Sequence, residues 1–291
     1  RSLSALRLAD QDVVGAVRSY SLTFSFQQAD EDFNRTRLSG ANTRTETDRT
    51  EVDTFGAVLA MESEVGGGTL VYGLDYYQDG VDSSRRDVRT DPGGDVVSDT
   101  FAVQGPVGDN SRYDLFGAYL QHRMPVGEQV EVTLGGRYTY AEANIDVLDD
   151  GSGTPTAANR DWDNATFNLR ATYRASDSVS IFGGASQAFR APNIDDLSSL
   201  KSSRTDEIAS GSLDVDPETY LTYEIGSRFR ERDVSVNASV FYTDMSDAIT
   251  RTPIGTVAGT GEVITAPTNG ADGYLWGGEV EGAMRLNDEF T

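Results

Sequence analysis

The chain has no cysteine, one histidine and few basic side chains: 24 Lys and Arg stand against 47 Asp and Glu, a formal net charge of −23. Each shortage excludes something. Without cysteine there is no disulfide framework and no thiolate-held metal or iron–sulfur cluster. One histidine cannot form a histidine cluster; His122 lies close to a short turn and reads as structural. The acidic balance argues against a nucleic-acid surface. It fits solubility in a salty medium, or attraction of cationic ligands and metal ions. No apolar run approaches ~18 residues, so no transmembrane helix is expected. No signal peptide is read at Arg1-Ser2-Leu3. The mean hydropathy is negative, which ordinarily indicates a soluble protein. A β-barrel that meets lipid at every second residue escapes that rule.

What the sequence does contain is alternation. About ten segments carry a period of two. In the first, Tyr20, Leu22, Phe24 and Phe26 fall on one face and Ser19, Ser21, Thr23 and Ser25 on the other. A second segment runs from about Glu46 to Met61 and a third from Thr69 to Tyr77. The fourth, Arg112 to Arg123, is ambiguous because Leu115 and Phe116 compete for the apolar face. The later ones are cleaner: Val130 to Thr139, Ala165 to Tyr173, Val179 to Arg190, Leu221 to Arg230, Val234 to Tyr242 and Tyr274 to Leu286.

The connections alternate too. Gly66 to Gly68, Val126 to Glu128, Ala175 to Asp177 and Glu231 to Asp233 read as tight hairpin turns. Between them lie polar stretches read as long loops: Gln28 to Thr45, Asp79 to Asn110, Asp146 to Asn159, Ala191 to Pro217 and Thr252 to Ala271. In an antiparallel up-and-down sheet this sorts short turns to one rim and long loops to the other. Outer-membrane barrels have that asymmetry, with short periplasmic turns and long extracellular loops. The apolar faces of the clear segments lack charge, and Tyr76, Tyr138, Tyr173, Tyr242, Tyr274 and Trp276 sit near segment ends, as an interfacial girdle would. The expected fold is therefore all-β, a transmembrane β-barrel in contact with outer-membrane lipid; a large soluble β-sheet protein is the alternative. The end, Leu286-Asn287-Asp288-Glu289-Phe290-Thr291, reads as a turn entering another strand. Residues 1–291 are accordingly expected to be an internal or truncated piece of one larger barrel domain.

The pattern is organised around Gly184 to Leu197, a strand that runs into Pro192 and stops, since proline has no backbone donor and pushes Ala191 away from helix. Here Phe189-Arg190-Ala191-Pro192-Asn193, followed by Ile194, Asp195, Asp196 and Leu197, resembles a signature of TonB-dependent outer-membrane receptors. Pro217-Glu218 with Tyr223-Glu224-Ile225-Gly226 is similar to the returning strand of that family. Val240 to Ile249 and Gly278-Glu279-Val280-Glu281-Gly282 resemble its next two strands. The matches keep family order over roughly Ser178 to Thr291.

The resemblance implies a barrel of about 22 strands around a plug, of which about ten are present here; the plug and final strands would be absent. It implies active uptake of a scarce ligand (ferric siderophore, haem, cobalamin or glycan), with energy delivered through TonB. Haem is disfavoured, because no histidine lies between Pro192 and Pro217. A small molecule or metal chelate is the expected partner; a cofactor and catalysis are not expected. Arg85, Arg86, Arg89, Lys201 and Arg204 are ligand candidates because the two longest loops carry them and reach farthest. Arg190, inward at a loop root, could salt-bridge the wall or touch an anionic ligand. Asp146, Asp149 and Asp150 could hold calcium or simply be solvated. A passive porin-like channel and a surface adhesin or soluble binding protein stay open as other functions.

Overall fold

The computed structural model describes residues 1–11, 15–151, 153–204 and 206–285; the terminal Leu286 to Thr291 segment lies outside them. In chain order the strands begin with β1 Ser2–Gln11, β2 Ser19–Ser39, β3 Asn42–Val65, β4 Gly68–Thr90 and the short β5 Val96–Phe101. β6 Asp109–Val126, β7 Val130–Asp149, β8 Pro155–Arg174 and β9 Val179–Arg190 follow. After the helix α1 Ile194–Ser198 come β10 Leu200–Arg204, β11 Glu207–Ser210, β12 Glu218–Glu231, β13 Val234–Thr256 and β14 Val263–Met284. All 14 belong to one sheet. β1 to β4, β6 to β9 and β12 to β14 run side by side, each antiparallel to the next, as an up-and-down wall. β5 adds to β4, and β11 adds to β14 in parallel. Closure of the wall on itself is not seen among the described residues.

The register puts the apolar alternates on one surface. Leu22, Leu59, Leu74 and Ala118 lie in one cross-strand row, and Ala171, Gly183, Ile225, Val240 and Gly278 in another. Phe167, Ile225 and Val280 are 63%, 59% and 80% exposed there, without protein cover. The ambiguous fourth segment is resolved: Phe116 joins Tyr76 and Tyr140 in the outward row, so Leu115 points inward. At one edge of the band Tyr242 stacks on Tyr274, ring centroids 5.9 Å apart. The opposite surface of the wall carries Arg123, Glu131, Thr133, Arg170, Glu224 and Glu279 around a cavity of about 770 Å³.

Several strands are far longer than the alternating segments, although β9 keeps its expected bounds Val179–Arg190. β3 has 24 residues and β4 has 23. At about 3.3 Å per residue each exceeds twice the ~30 Å of a bilayer core. Much of what reads as long loops is therefore strand. Gln28 to Thr45 is no loop: β2 and β3 pair in unbroken register to Ser39↔Asn42 and turn over Gly40-Ala41. The stretch Asp79 to Thr90 continues β4, and Thr252 to Thr256 and Val263 to Ala271 continue β13 and β14. The physical reason is that above the apolar band both strand faces meet water. Thr, Arg, Asp and Glu then fill both faces and the period vanishes, while backbone pairing and cross-strand ion pairs such as Arg49 to Asp32 persist. β1 escaped notice because Leu3 falls out of phase with Leu6 and Leu8.

The tight turns lie where expected. Gly66 and Gly67 both have positive φ, 59° and 77°, which the two-residue turn between β3 and β4 requires. His122 Nε2 lies 3.1 Å from the Val65 carbonyl at this rim. The opposite rim, where β9 ends and β12 begins, holds the main apolar core: Val81, Val107, Ala143, Ile145, Ile194, Leu197 and Val215. It forms because residues 102–108 and 191–217 fold back onto the wall rather than standing free.

Candidate functional site: a clamped loop root on the inner face

The site grows from Arg190. β9 ends there, and its guanidinium spans two carboxylates: Nε and Nη2 donate to Glu218 at 2.8 and 3.1 Å, and Nη1 donates to Asp196 at 2.9 Å. Glu218 opens β12 directly across the ladder from Arg190. It also accepts the Tyr220 hydroxyl and, at 2.6 Å, the Ile249 N–H of β13. Its side chain is 8% exposed. The Arg190 guanidinium, hydrogen-bonded to it, holds the Glu218 carboxyl down to about 2 against an ordinary 4.5, burial opposing. The same contact raises Arg190 above its ordinary value.

Asp196 ties this pair to α1. Asn193 caps the helix: its side chain accepts the Asp196 N–H at 2.9 Å, and the Asp196 carboxylate accepts the Asn193 N–H at 3.2 Å. Ile194 and Leu197 then face the core. Pro192 is fully buried and stops the ladder. Gly226 explains itself lower on β12, since a Cβ there would meet Phe182 Cζ at 2.5 Å and the Ala238 carbonyl at 2.6 Å. Arg170 lies over the Phe182 ring at 4.5 Å. Tyr223 faces out with the apolar rows and Glu224 faces the inner cavity. Phe189 pairs with Thr219. The recognised stretch is thus largely one contact network, in which Arg190, Asn193, Asp196 and Glu218 close the root of the 191–217 segment.

A second layer stitches that segment to its neighbours. Gln104, fully buried, donates to the Ser198 carbonyl at 2.7 Å and accepts the Asp149 N–H at 2.7 Å. Ser198 Oγ accepts the Gly108 N–H at 2.8 Å. Asn269 bridges the Asp216 and Asp247 carbonyls. Arg251 donates to Asp195, Ser199 and the Ser210 carbonyl. Burial pushes Tyr113, packed against this core, up to about 12. Sequence reasoning missed Gln104, Ser198, Arg251 and Asn269, which alternation cannot mark. Asp196 was findable, because Asn193-x-x-Asp196 has capping-box spacing.

The other candidates are scattered. Arg85 lies on the inner face of β4 with Asp48, Nε to Oδ1 2.5 Å and Nη2 to Oδ2 3.0 Å, both side chains nearly buried at 12% and 7% exposure. Burial alone would lower Arg85, and the Asp48 contact outweighs it. Arg44 joins the same array through Glu46 and Asp87. Arg86 faces the other way, to Asp99 and the Phe101 ring of β5. Arg89 stands loosely, 3.9 Å from Asp87 and half exposed. Lys201 meets Asp195 at 2.5 Å. Arg204 falls in β10, but its side chain is outside what is described. Asp146 accepts from Asn110 and Asp149 from the Gly151 N–H. Among the described residues no three metal-ligating side chains converge.

The model of the family described as TonB dependent receptor-like, beta-barrel, matches residues 4–291. The chain belongs to the TonB-dependent receptor β-barrel family. Similar solved structures include the copper transporter OprC (18% identity, TM-score 0.75, covering 98% of this chain and 44% of that one). The siderophore receptor PiuA from Acinetobacter baumannii is 15% identical at TM-score 0.69, with 98% and 44% covered. The Serratia marcescens hemophore receptor HasR, solved with its hemophore HasA and heme, is 14% identical at TM-score 0.65, with 96% and 51% covered. At these identities the likeness is one of fold. The chain spans about half the length of these proteins or less. TonB-dependent receptors are outer-membrane proteins, and the outward apolar rows and inward polar rows described above have that family's arrangement.

Proposed function

We propose that this chain is a part of the barrel wall of an outer-membrane receptor that takes up a scarce small molecule or metal chelate, driven through a plug and TonB. The observation that carries this reading is the clamp formed by Arg190, Asp196 and Glu218. It holds a 191–217 segment folded on the inner face, just above the apolar band. An open pore needs its vestibule clear, whereas a receptor needs a fixed inner surface that an arriving ligand meets. The acidic chain favours cationic or metal-bearing cargo by long-range steering, an effect that weakens with salt. Of the ligand candidates whose side chains are described, Arg89 has the freest head group; Arg85 and Arg190 are held by carboxylates and would act by shaping the surface.

Live-cell uptake by the full-length receptor tests the reading. Cells carrying the receptor are given radiolabelled ferric and cupric chelates, with and without dissipation of the proton gradient. Accumulation that stops when the gradient is removed is the expected result. Accumulation that persists without the gradient would instead assign a passive channel.

A further inference from the structure

Two parts of the wall that root far apart meet over its inner face. β2 and β3 rise together as one arm, paired in unbroken register to Ser39↔Asn42, while β1 accompanies β2 only up to Ser2↔Gln28. Ala29 to Ser39 span roughly 36 Å beyond that level at the usual rise of a strand. β13 and β14 form a second arm, paired up to Thr256↔Val263. Along the wall, in the order β2-β3-β4-β6-β7-β8-β9-β12-β13-β14, β2 and β14 are nine ladder steps apart. That is roughly 43 Å of contour at the usual strand spacing. Their tips nevertheless touch: Arg37 Nη1 lies 3.6 Å from Glu262 Oε1, with the side chains 36% and 17% exposed.

Each arm supplies a reason for the contact. The β13–β14 ladder shifts register between Met245 and Ile249 and again between Pro253 and Gly255, and such bulges bend a strand. Asp247 sits in this bend at φ 57°, and Asn269 donates to its carbonyl at 2.7 Å. The second arm therefore leans, while the first, without bulges, stands. At the leaning tip Glu262 is held in place: Thr260 Oγ1 donates to its carboxylate at 2.9 Å and the Val257 N–H to its carbonyl at 2.8 Å. β11 pairs with Val263 to Thr265 just below, so this arm is braced by the clamped 191–217 segment. On the standing tip, Arg37 lies directly across the ladder from Arg44. Like charges so placed repel. Arg44 is neutralised within its own arm by Glu46 and Asp87. Among the described residues, Arg37 finds its carboxylate on the far arm.

We propose that the Arg37–Glu262 pair is the latch of a gate. It joins the two arms into an arch over the inner face, and a ligand reaches the surface shaped by the clamped segment only while the latch is open. The pair is partly exposed, and such pairs favour the joined state by a few-fold at most. The arch is therefore in equilibrium between joined and parted states and is not a fixed roof. Salt shifts it to the parted state, because at 1 M ionic strength screening acts over ~3 Å. That the arch admits a ligand rests on the receptor reading; the contact between the arms does not.

The test uses the full-length receptor in vesicles, with spin labels on cysteines at Ala41 and Ala258, both exposed at the tips. The present chain has no cysteine of its own, and any elsewhere in the receptor is replaced. Pulsed electron paramagnetic resonance at low salt should show a short and a long distance in a ratio of about three to one, and the short one should fade at 1 M salt. Arg37→Glu and Glu262→Arg should each remove the short distance, and the two together should restore it. Labels at Asp30 and Ser246, near the roots of the arms, should report one unchanged distance throughout. With about three-quarters of the receptors closed, the concentration of radiolabelled chelate, ferric or cupric, needed for half-maximal uptake at low salt should fall about fourfold in each single variant. The swap should return it to the wild-type value. The two single variants change local charge in opposite senses, so a shift in the same direction cannot come from direct attraction of the ligand. A short distance that survives both single reversals overturns the latch. So does a swap that fails to restore it while heat-modifiable gel migration shows every variant folded. Reversals that part the arms and leave uptake unchanged overturn the gate. Accumulation that continues without the proton gradient would instead overturn the receptor reading and leave the latch standing.

Discussion

Arg190 and Glu218 are 28 residues apart in sequence and directly opposite in the ladder between β9 and β12, joined by two hydrogen bonds of 2.8 and 3.1 Å. Everything between them is the 191–217 segment. The pair is thus the base of a loop whose far parts reach β13, β14 and residues 102–108. Removing Arg190 should loosen the whole segment, because Glu218, 8% exposed, is left charged without its cation; removing Glu218 should do so by leaving Arg190 tied only to Asp196.

For Arg190→Ala or Glu218→Ala we expect a loss of about 2 kcal/mol, between a charged hydrogen bond and a fully buried ion pair, since Arg190 is 40% exposed. The loss should be local. Hydrogen exchange should accelerate in α1 and β11 while the lower halves of β9 and β12 stay protected. Uniform acceleration across the wall would refute a local clamp.

The same pair sets a pH dependence. Glu218 has a folded pKa of about 2, below its ordinary 4.5. A depressed carboxyl contributes stability that is complete above the unfolded value and is lost as pH falls through the folded one. With exchange corrected for its intrinsic pH dependence, the opening free energy of the 191–217 segment should therefore be constant from pH 7 to about 5 and fall between about 4.5 and 2. In Glu218→Gln that acid-dependent component should be absent.

The outward rows make a contrast that is readable by refolding into lipid. Val236 lies in an apolar row with Phe229 and Gly282, whereas Ser239 borders the inner cavity opposite Glu279. Val236→Arg should cost roughly 2–4 kcal/mol near the bilayer midplane. Ser239→Arg should cost far less, because its charge meets water and a carboxylate. Denaturant titrations of the two variants in vesicles measure the difference; equal costs would mean that the wall faces water on both sides.

These cases mark what the sequence carries legibly. Where one strand face meets lipid, as at Tyr20 to Phe26 or Ala165 to Tyr173, alternation reports strand, facing and register together. Pro192 and the Gly66-Gly67 turn are legible because each residue type has a backbone consequence of its own. Above the band this signal disappears. Arg44 to Val52 and Asp79 to Thr90 are strands whose two faces are both polar, so their pairing rests on ladder hydrogen bonds and ion pairs that no period reveals. The clamp was half legible: Arg190 could be seen to point inward, but its partners lie 6 and 28 residues away and only the fold selects them. Gln104 and Ser198 meet across 94 residues and leave no local trace.

Topology offers a direct check. The hairpin tip at Ala41 and the residue Asp95 lie at the rim of long strands, whereas Gln129 and Ser176 lie in the short turns of the opposite rim. Single cysteines at Ala41 and Asp95 should react with an impermeant maleimide on intact cells. Cysteines at Gln129 and Ser176 should react only after permeabilisation. The reversed pattern would invert the orientation of the wall.

The final prediction separates two arginines that a sequence cannot tell apart. Arg85 and Arg89 lie on the same inward face of β4, two pleat repeats apart with Asp87 between them. Arg85 is bound to Asp48 by two hydrogen bonds, and both side chains are nearly buried. Its removal strands Asp48, with Glu46 also nearby, so Arg85→Ala should destabilise the β3–β4 extension by about 3 kcal/mol, the lower end for a broken buried pair. Arg89 touches Asp87 only at 3.9 Å and is half exposed, so Arg89→Ala should change stability by less than about 0.5 kcal/mol. If ligand meets the inner face of these strands, Arg89→Ala should raise the ligand concentration needed for half-maximal uptake while leaving hydrogen exchange of the hairpin unchanged. Arg85→Ala should speed exchange in residues 43–52 of β3 and 81–90 of β4 and impair uptake only as a consequence. Uptake that is normal in Arg89→Ala would move ligand contact away from β4, to the 191–217 segment or to surfaces beyond these strands.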